Sequence, residues 1–210
     1  MNYETSTNSG EWWYKEFITK SNWETGIKGS IQTDMFAQIA YALINPTIKD
    51  NISKILGGSF IDFGCALGQA TKMLRLLNDK VEIIGAEISE EARKKAIENV
   101  NTDVKILKNI DEIEKCELIY ASQVLEYYKS PKDILNQLLE KSNNYVIVLA
   151  PYELDVDKNE LSGCKIEEKT LKNLIWDKPE WKLIQQTIIG PTDNFYNSTK
   201  QVLGVYKKIF

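Results

Sequence analysis

SFIDFGCALGQATKML, residues 59–74, is the stretch whose reading decides the fold. A short apolar run reaches Asp62 and passes through Gly64 and Gly68, forming D-x-G-x-x-x-G, before ATKMLRLLN continues in a helical pattern. This reads as a buried strand, a glycine turn and a helix. Such a turn lets backbone approach a nucleotide-like ligand closely, because glycine adds no Cβ and tolerates positive φ.

Outward from that stretch, strand-like and helix-like segments alternate. FIDF (60–63), VEIIGAEI (81–88), VKILKN (104–109), CELIYA (116–121) and YVIVLA (145–150) are apolar runs of strand length. SEEARKKAIENV follows the second run, with Ser89 as its N-cap and Glu90 and Glu91 in the first turn, where acids are favourable. SPKDILNQLLEK opens with Ser130 at the cap and Pro131 at the first helical position. IDEIEK is too short for a full helix and is read as a single turn. The alternation calls for a mostly parallel sheet with helices on both faces. After the helical IEEKTLKNLIW, WKLIQQTII (181–189) and QVLGVYKKIF (201–210) are joined by the turn-rich GPTDNFYNST, which suits an antiparallel hairpin.

Composition narrows the function classes. The chain has 210 residues, 43% of them apolar and 27% charged, as expected of one globular domain. A net charge of −4, with lysines interleaved among acids, leaves no basic footprint for a nucleic-acid partner. No run approaches the ~20 apolar residues of a membrane span, and MNYETSTNSGEWW lacks a signal-peptide layout, so the expectation is a cytoplasmic protein without a membrane partner. Cys65, Cys116 and Cys164 are odd in number and widely spaced, against a disulfide framework or thiolate metal site. Cys65 lies inside the glycine turn, where its thiol is either reactive or space-filling, and the second reading is preferred. Asp155, Asp157 and Asn159 imitate a calcium loop, but Glu160 and Ile166 stand where that loop needs glycine and glutamate, so no metal is assigned.

On Asp62, Gly64 and Gly68 in this setting, the chain resembles the class I S-adenosylmethionine-dependent methyltransferases. A parallel core ending in an antiparallel hairpin is similar to that family's sheet, whereas a dinucleotide dehydrogenase would continue with parallel strands. The resemblance implies an α/β, Rossmann-like, doubly wound seven-stranded sheet, mostly parallel with a C-terminal antiparallel hairpin, plus N-terminal lid helices. It implies one methyltransferase domain over 1–210, with a helical lid at 1–50 and a cofactor-binding core at 51–210. The cofactor would be S-adenosyl-L-methionine and the product S-adenosyl-L-homocysteine.

Residue by residue, the resemblance places Asp62, Gly64, Cys65, Ala66 and Gly68 around the cofactor, with Asp62 holding turn amides or reaching the cofactor ammonium. Glu87 ends the second run about 25 residues after Asp62, near the spacing of an acid that accepts two ribose hydroxyls. Its structural alternative is an exposed acid beside the helix starting at Ser89. Ile88 would pack on one adenine face, and Asn109 and Ile110 would contact the adenine edge and its other face, with Asp111 replacing Asn109 if the register differs. YASQVLEYYKSP (120–131) resembles the segment after the fourth strand, where Gln123 would touch the cofactor.

The chain has no histidine, so any general base is a carboxylate, tyrosine, lysine or water. Tyr127 stands where many relatives carry histidine and is the catalytic candidate, although a phenol of pKa ~10 is a weak base at neutral pH. In-line methyl transfer leans on positioning, and a low-pKa acceptor needs little base help. Trp13, Tyr14 and Tyr128 are substrate candidates whose faces would stabilise positive charge; their alternative is core or lid packing. The expected reaction is methylation of a small molecule, on oxygen, with a sugar or surface-glycan precursor as first guess, by a monomer or homodimer. Two alternatives stay open: a dinucleotide-dependent oxidoreductase, disfavoured because Ala66 interrupts G-x-G-x-x-G, and a non-catalytic S-adenosylmethionine-binding module, which the absence of histidine permits.

Overall fold

The structure, a computed structural model, describes residues 58–77, 81–100, 103–113, 115–128, 130–151, 178–189 and 200–209, together with Lys15. Trp13, Tyr14, the expected lid helices, Cys164, the calcium-like stretch and the helical IEEKTLKNLIW lie outside these residues. The chain divides into two compact units, one of residues 10–117 and one of residues 118–210 with 1–9.

In the first unit, β1 (Ser59–Phe63) leads through the glycine turn into α1 (Gln69–Leu77). β2 (Glu82–Ala86), α2 (Glu90–Val100) and β3 (Lys105–Leu107) follow, then a single 3-10 turn, Ile110–Glu112. β1 and β2 pair in parallel from Ser59 opposite Glu82 to Phe63 opposite Ala86, and β2 pairs in parallel with β3. Strands covered on both faces are apolar throughout rather than alternating, and Phe60, Ile61, Ile83, Ile84 and Ala86 are all buried. α2 buries Ala92, Ala96 and Val100, a four-residue repeat that lays one stripe against the core. Its other face is solvated, with Lys94 paired to Glu90 and Glu91. Ser89 caps it as expected, its Oγ accepting from the Ala92 amide at 3.3 Å.

β4 (Cys116–Ser122), whose residues from Leu118 belong to the second unit, is followed by a 3-10 turn over Leu125–Tyr127, α3 (Pro131–Lys141) and β5 (Ser142–Pro151). β6 (Trp181–Ile189) and β7 (Gln201–Lys208) complete the strands. Ser130 caps α3, Pro131 stands at its start, and Ile134, Leu135, Leu138 and Leu139 form its buried stripe. β7 pairs antiparallel with both β5 and β6, so the strands run in the order β3-β2-β1-β4-β5-β7-β6.

The final strand is therefore interior to the sheet, and its composition explains why. Residues 201–206 are buried without interruption, whereas β6 alternates, exposing Ile184 and Ile188 as an edge strand does. The fold is a seven-stranded mixed α/β sheet with a parallel core and antiparallel C-terminal strands, as the sequence suggested. Several strand boundaries move, β3 shrinking from 104–109 to Lys105–Leu107, and two of the shifts have a local cause. β2 stops at Ala86, short of Glu87 and Ile88, because the Ala86 carbonyl is taken by the amides of Gly64 and Cys65 at 2.8 and 3.1 Å. β5 begins at Ser142 instead of Tyr145, since α3 runs straight into it and the Ser142 amide closes the helix on the Leu138 carbonyl. No helix among the described residues is long and apolar enough to cross a membrane.

Candidate functional site

The turn after β1 is built from positive-φ backbone at Gly64 (73°), Ala66 (49°) and Gly68 (83°). Glycine takes such angles freely, while alanine is strained there by about 1–2 kcal/mol, so surrounding bonds must hold Ala66 in place. They do. The Ala66 amide donates to Glu87 Oε2 at 3.0 Å, and the Gly68 amide donates to the Cys65 carbonyl at 2.8 Å. Gly68 has a second reason to be glycine: a Cβ there would stand 2.6 Å from Val100 Cγ1 and 3.4 Å from the Ala96 Cα. The space at Gly68 thus serves the close packing of α2 on the turn.

Glu87 is buried, 5% exposed, which removes the reading of it as an exposed acid. Its Oε1 accepts from the Ser89 amide at 2.8 Å while Oε2 holds the turn. Arg93 does not pair with this carboxylate; its Nη1 donates to the carbonyls of Glu87 and Ile88 at 2.8 and 2.9 Å, fixing the backbone just past β2. Burial pushes the Glu87 carboxyl up, and the Ser89 and Ala66 amides and the nearby Arg93 charge pull it back. A carboxylate offers about four acceptor sites, so the two amides leave capacity for two hydroxyls on the same group. That chemistry fits a ribose diol.

Asp62 is placed differently from the expectation that it holds turn amides. It is buried, and its Oδ2 accepts from Thr71 Oγ1 at 2.5 Å, tying β1 to α1. Burial raises its carboxyl from 3.8 to about 6, against the hydroxyl and amide bonds from Thr71, with the Glu87 charge adding upward pressure. Cys65 is buried beside both acids, and burial followed by their charges pushes its thiol well above the ordinary value. A thiol so held stays protonated, and its Sγ fills the space beside Gly85, where a Cβ would come to 2.9 Å. Packing, rather than reactivity, describes Cys65.

At the end of β3, Asn109 forms a capping box: its Oδ1 accepts from the Asp111 amide at 2.9 Å, while Glu112 Oε1 accepts from the amides of Lys108 and Asn109. Ile110 is 1% exposed, Asp111 is exposed, and Ile88 is half-buried. This unit therefore brings together Asp62, Gly64, Cys65, Ala66, Gly68 and Glu87 on one braced turn, with Ile88 following Glu87 directly and Asn109 capping the turn past β3.

The remaining candidates belong to the second unit. Gln123 follows β4 with φ 55°, and Ala66 and Gln123 are the non-glycine residues of positive φ among the described residues. Its amide donates to the Leu149 carbonyl at 2.7 Å, and its Nε2 donates to Gln201 Oε1 at 2.6 Å. Ser122 Oγ and Gln123 Oε1 are buried without a hydrogen-bond partner among the described residues. Buried polar atoms are nearly always paired, so two orphans at a strand end fit an arrangement completed by a ligand. Tyr127 is half-buried in the 3-10 turn, and Tyr128 is buried at its end.

Sequence reasoning missed Thr71, Arg93, Ser122 and Gln201. Each acts through a partner 5 to 78 residues away, or through burial, and short motifs record neither.

A family described as methyltransferase domain matches residues 33–179. No curated protein matches the chain significantly. Among solved structures, magnesium protoporphyrin IX methyltransferase (ChlM) from Synechocystis PCC 6803 with bound SAM is 10% identical, with a TM-score of 0.69 over 98% of this chain and 100% of that one. The plantazolicin methyltransferase BpumL, in complex with a monoazolic desmethylPZN analogue and SAH, is 14% identical, with a TM-score of 0.69 over 95% and 94% of the two chains.

Proposed function

The chain belongs to the methyltransferase domain family, and from that premise we propose that it transfers a methyl group from S-adenosylmethionine to an oxygen of a small-molecule acceptor. The observation that carries the cofactor assignment is the buried Glu87 carboxylate, which braces the strained turn through Ala66 and keeps acceptor capacity for a diol. When bound, the cofactor supplies the electrophilic methyl group. The protein's part is then positioning: Glu87 accepts ribose hydroxyls, Ile88 offers an apolar face to adenine, and Asn109 and Ile110 border it. The turn of Gly64, Cys65 and Ala66 presents close backbone.

Gln123 is assigned to the cofactor as well. Tyr127 is assigned to the acceptor, as the group that orients it or receives its proton, and Tyr128, Trp13 and Tyr14 keep their assignment as substrate residues. A low-pKa hydroxyl is the acceptor that suits a chain without histidine. The two solved structures named above, a magnesium protoporphyrin IX methyltransferase with bound SAM and a plantazolicin methyltransferase in complex with a desmethylPZN analogue, share one fold under names of dissimilar acceptors, so the fold does not choose among acceptors. Phenols are the low-pKa acceptors to assay first, with sugars, the first guess from sequence, as weakly acidic hydroxyls that would need Tyr127 or another base.

Calorimetric titration with S-adenosylhomocysteine and with NAD tests the assignment. Binding of the former and not the latter is expected, followed by methylated product from an acceptor panel. Binding of NAD alone overturns the cofactor, and cofactor binding without product across the panel overturns the transfer.

A further inference from the structure

At the level where β4 and β5 end, β7 begins, and Gln201 lies opposite Pro151 on one side and Ile189 on the other. Gln201 is fully buried, an unusual place for a glutamine. Its Oε1 accepts from Gln123 Nε2, and Gln123 is further fixed by its bond to the Leu149 carbonyl and by its left-handed backbone. The carboxamide of Gln123 is thus clamped by one edge. Its other edge, Oε1, and the neighbouring Ser122 Oγ are left buried without partners among the described residues. A clamp that holds an acceptor where the protein offers it no donor makes sense if the donor arrives with a ligand.

A carboxamide oxygen left buried without a donor suits a group with donors and no acceptor. Of the groups on S-adenosylmethionine, the α-ammonium has that character; the ribose hydroxyls and the adenine amine come with acceptors of their own. We propose that Gln201 is a positioning residue for the cofactor: it grips Gln123 Nε2 so that Gln123 Oε1 receives the ammonium of the methionine part. The inference rests on the reading of the chain as an S-adenosylmethionine enzyme, and it concerns residues 78 positions apart in sequence.

The test is calorimetric titration of the full chain with S-adenosylhomocysteine and with its analogue carrying hydrogen in place of the α-amino group. The wild type prefers S-adenosylhomocysteine by about tenfold or more, the scale of one hydrogen bond to a charged group. Gln201→Leu weakens S-adenosylhomocysteine by about tenfold and leaves the analogue unchanged, so the preference collapses. Gln123→Leu does the same, and the double variant is no weaker than either single one, because both act through one carboxamide. Gln123→Glu keeps the acceptor edge and retains the preference. If Gln201→Leu does not fold, Gln201→Met, of similar length and without the amide oxygen, must show the same collapse. A folded Gln201 variant that keeps the wild-type preference overturns the proposal, as do variants whose effects multiply or that weaken both ligands equally. Wild-type protein that binds both ligands alike overturns the ammonium assignment, whereas wild-type protein that binds neither overturns the cofactor reading itself.

Discussion

Replacing Glu87 by alanine separates the two jobs of this carboxylate. In the folded protein its two oxygens receive the Ala66 amide at 3.0 Å and the Ser89 amide at 2.8 Å. Removing them leaves one buried and one part-buried donor without an acceptor, each worth about 1–3 kcal/mol, with the lower figure suited to Ala66, where water can substitute. Relief of a buried charge offsets part of this, because burial already holds the Glu87 carboxyl above its ordinary value. The expected net destabilisation is about 2–4 kcal/mol, or roughly 5–15 °C in Tm for a chain of this size. Ligand binding suffers separately. Loss of hydroxyl bonds to a carboxylate costs about 1.5–3 kcal/mol, a Kd for S-adenosylhomocysteine raised by roughly ten- to hundredfold. Urea denaturation measures the first effect, and calorimetry at a temperature where the variant is fully folded measures the second. A folded variant with unaltered affinity refutes the ribose assignment, and unaltered stability refutes the brace on the turn.

Asp62→Asn probes the acid that Thr71 holds. With a folded value of about 6 against an ordinary 3.8, the native state binds the proton more tightly than the unfolded chain. The sign follows: Asp62 makes the protein lose stability as pH rises from about 4 to about 6, by ~3 kcal/mol in total. Asp62→Asn should flatten that part of the stability profile in urea melts at successive pH values, and an unchanged slope would remove Asp62 as its source. Tyr127→Phe should reduce turnover by about 10²-fold while leaving S-adenosylhomocysteine affinity at the wild-type value, once an acceptor is found. Full activity in that variant takes Tyr127 out of the mechanism.

Much of this was legible in short stretches. SFIDFGCALGQATKML forms its strand, turn and helix where its apolar run, glycines and helical pattern put them, and Ser89 and Ser130 cap the helices they precede. These are local effects, set by neighbours within a turn or two. The position of β7 between β5 and β6 was not read from the turn-rich connection, although the unbroken burial of 201–206 against the alternation of β6 carries the signal.

The division falls between residue type and partner. The sequence alone determined that acids and glycines would stand at the ends of β1 and β2, that no histidine would serve as base, and that the family would be that of the methyltransferases. Tertiary structure decided what each group holds: Glu87, 21 residues after Ala66, takes that residue's turn amide, while Asp62, read as holding turn amides or reaching the cofactor ammonium, takes the hydroxyl of Thr71. It also made Gln201 the partner of Gln123. The physical reason is that a hydrogen bond needs its atoms within about 3 Å, and that proximity comes from which strand ends lie on the same level of the sheet, a property no single segment possesses.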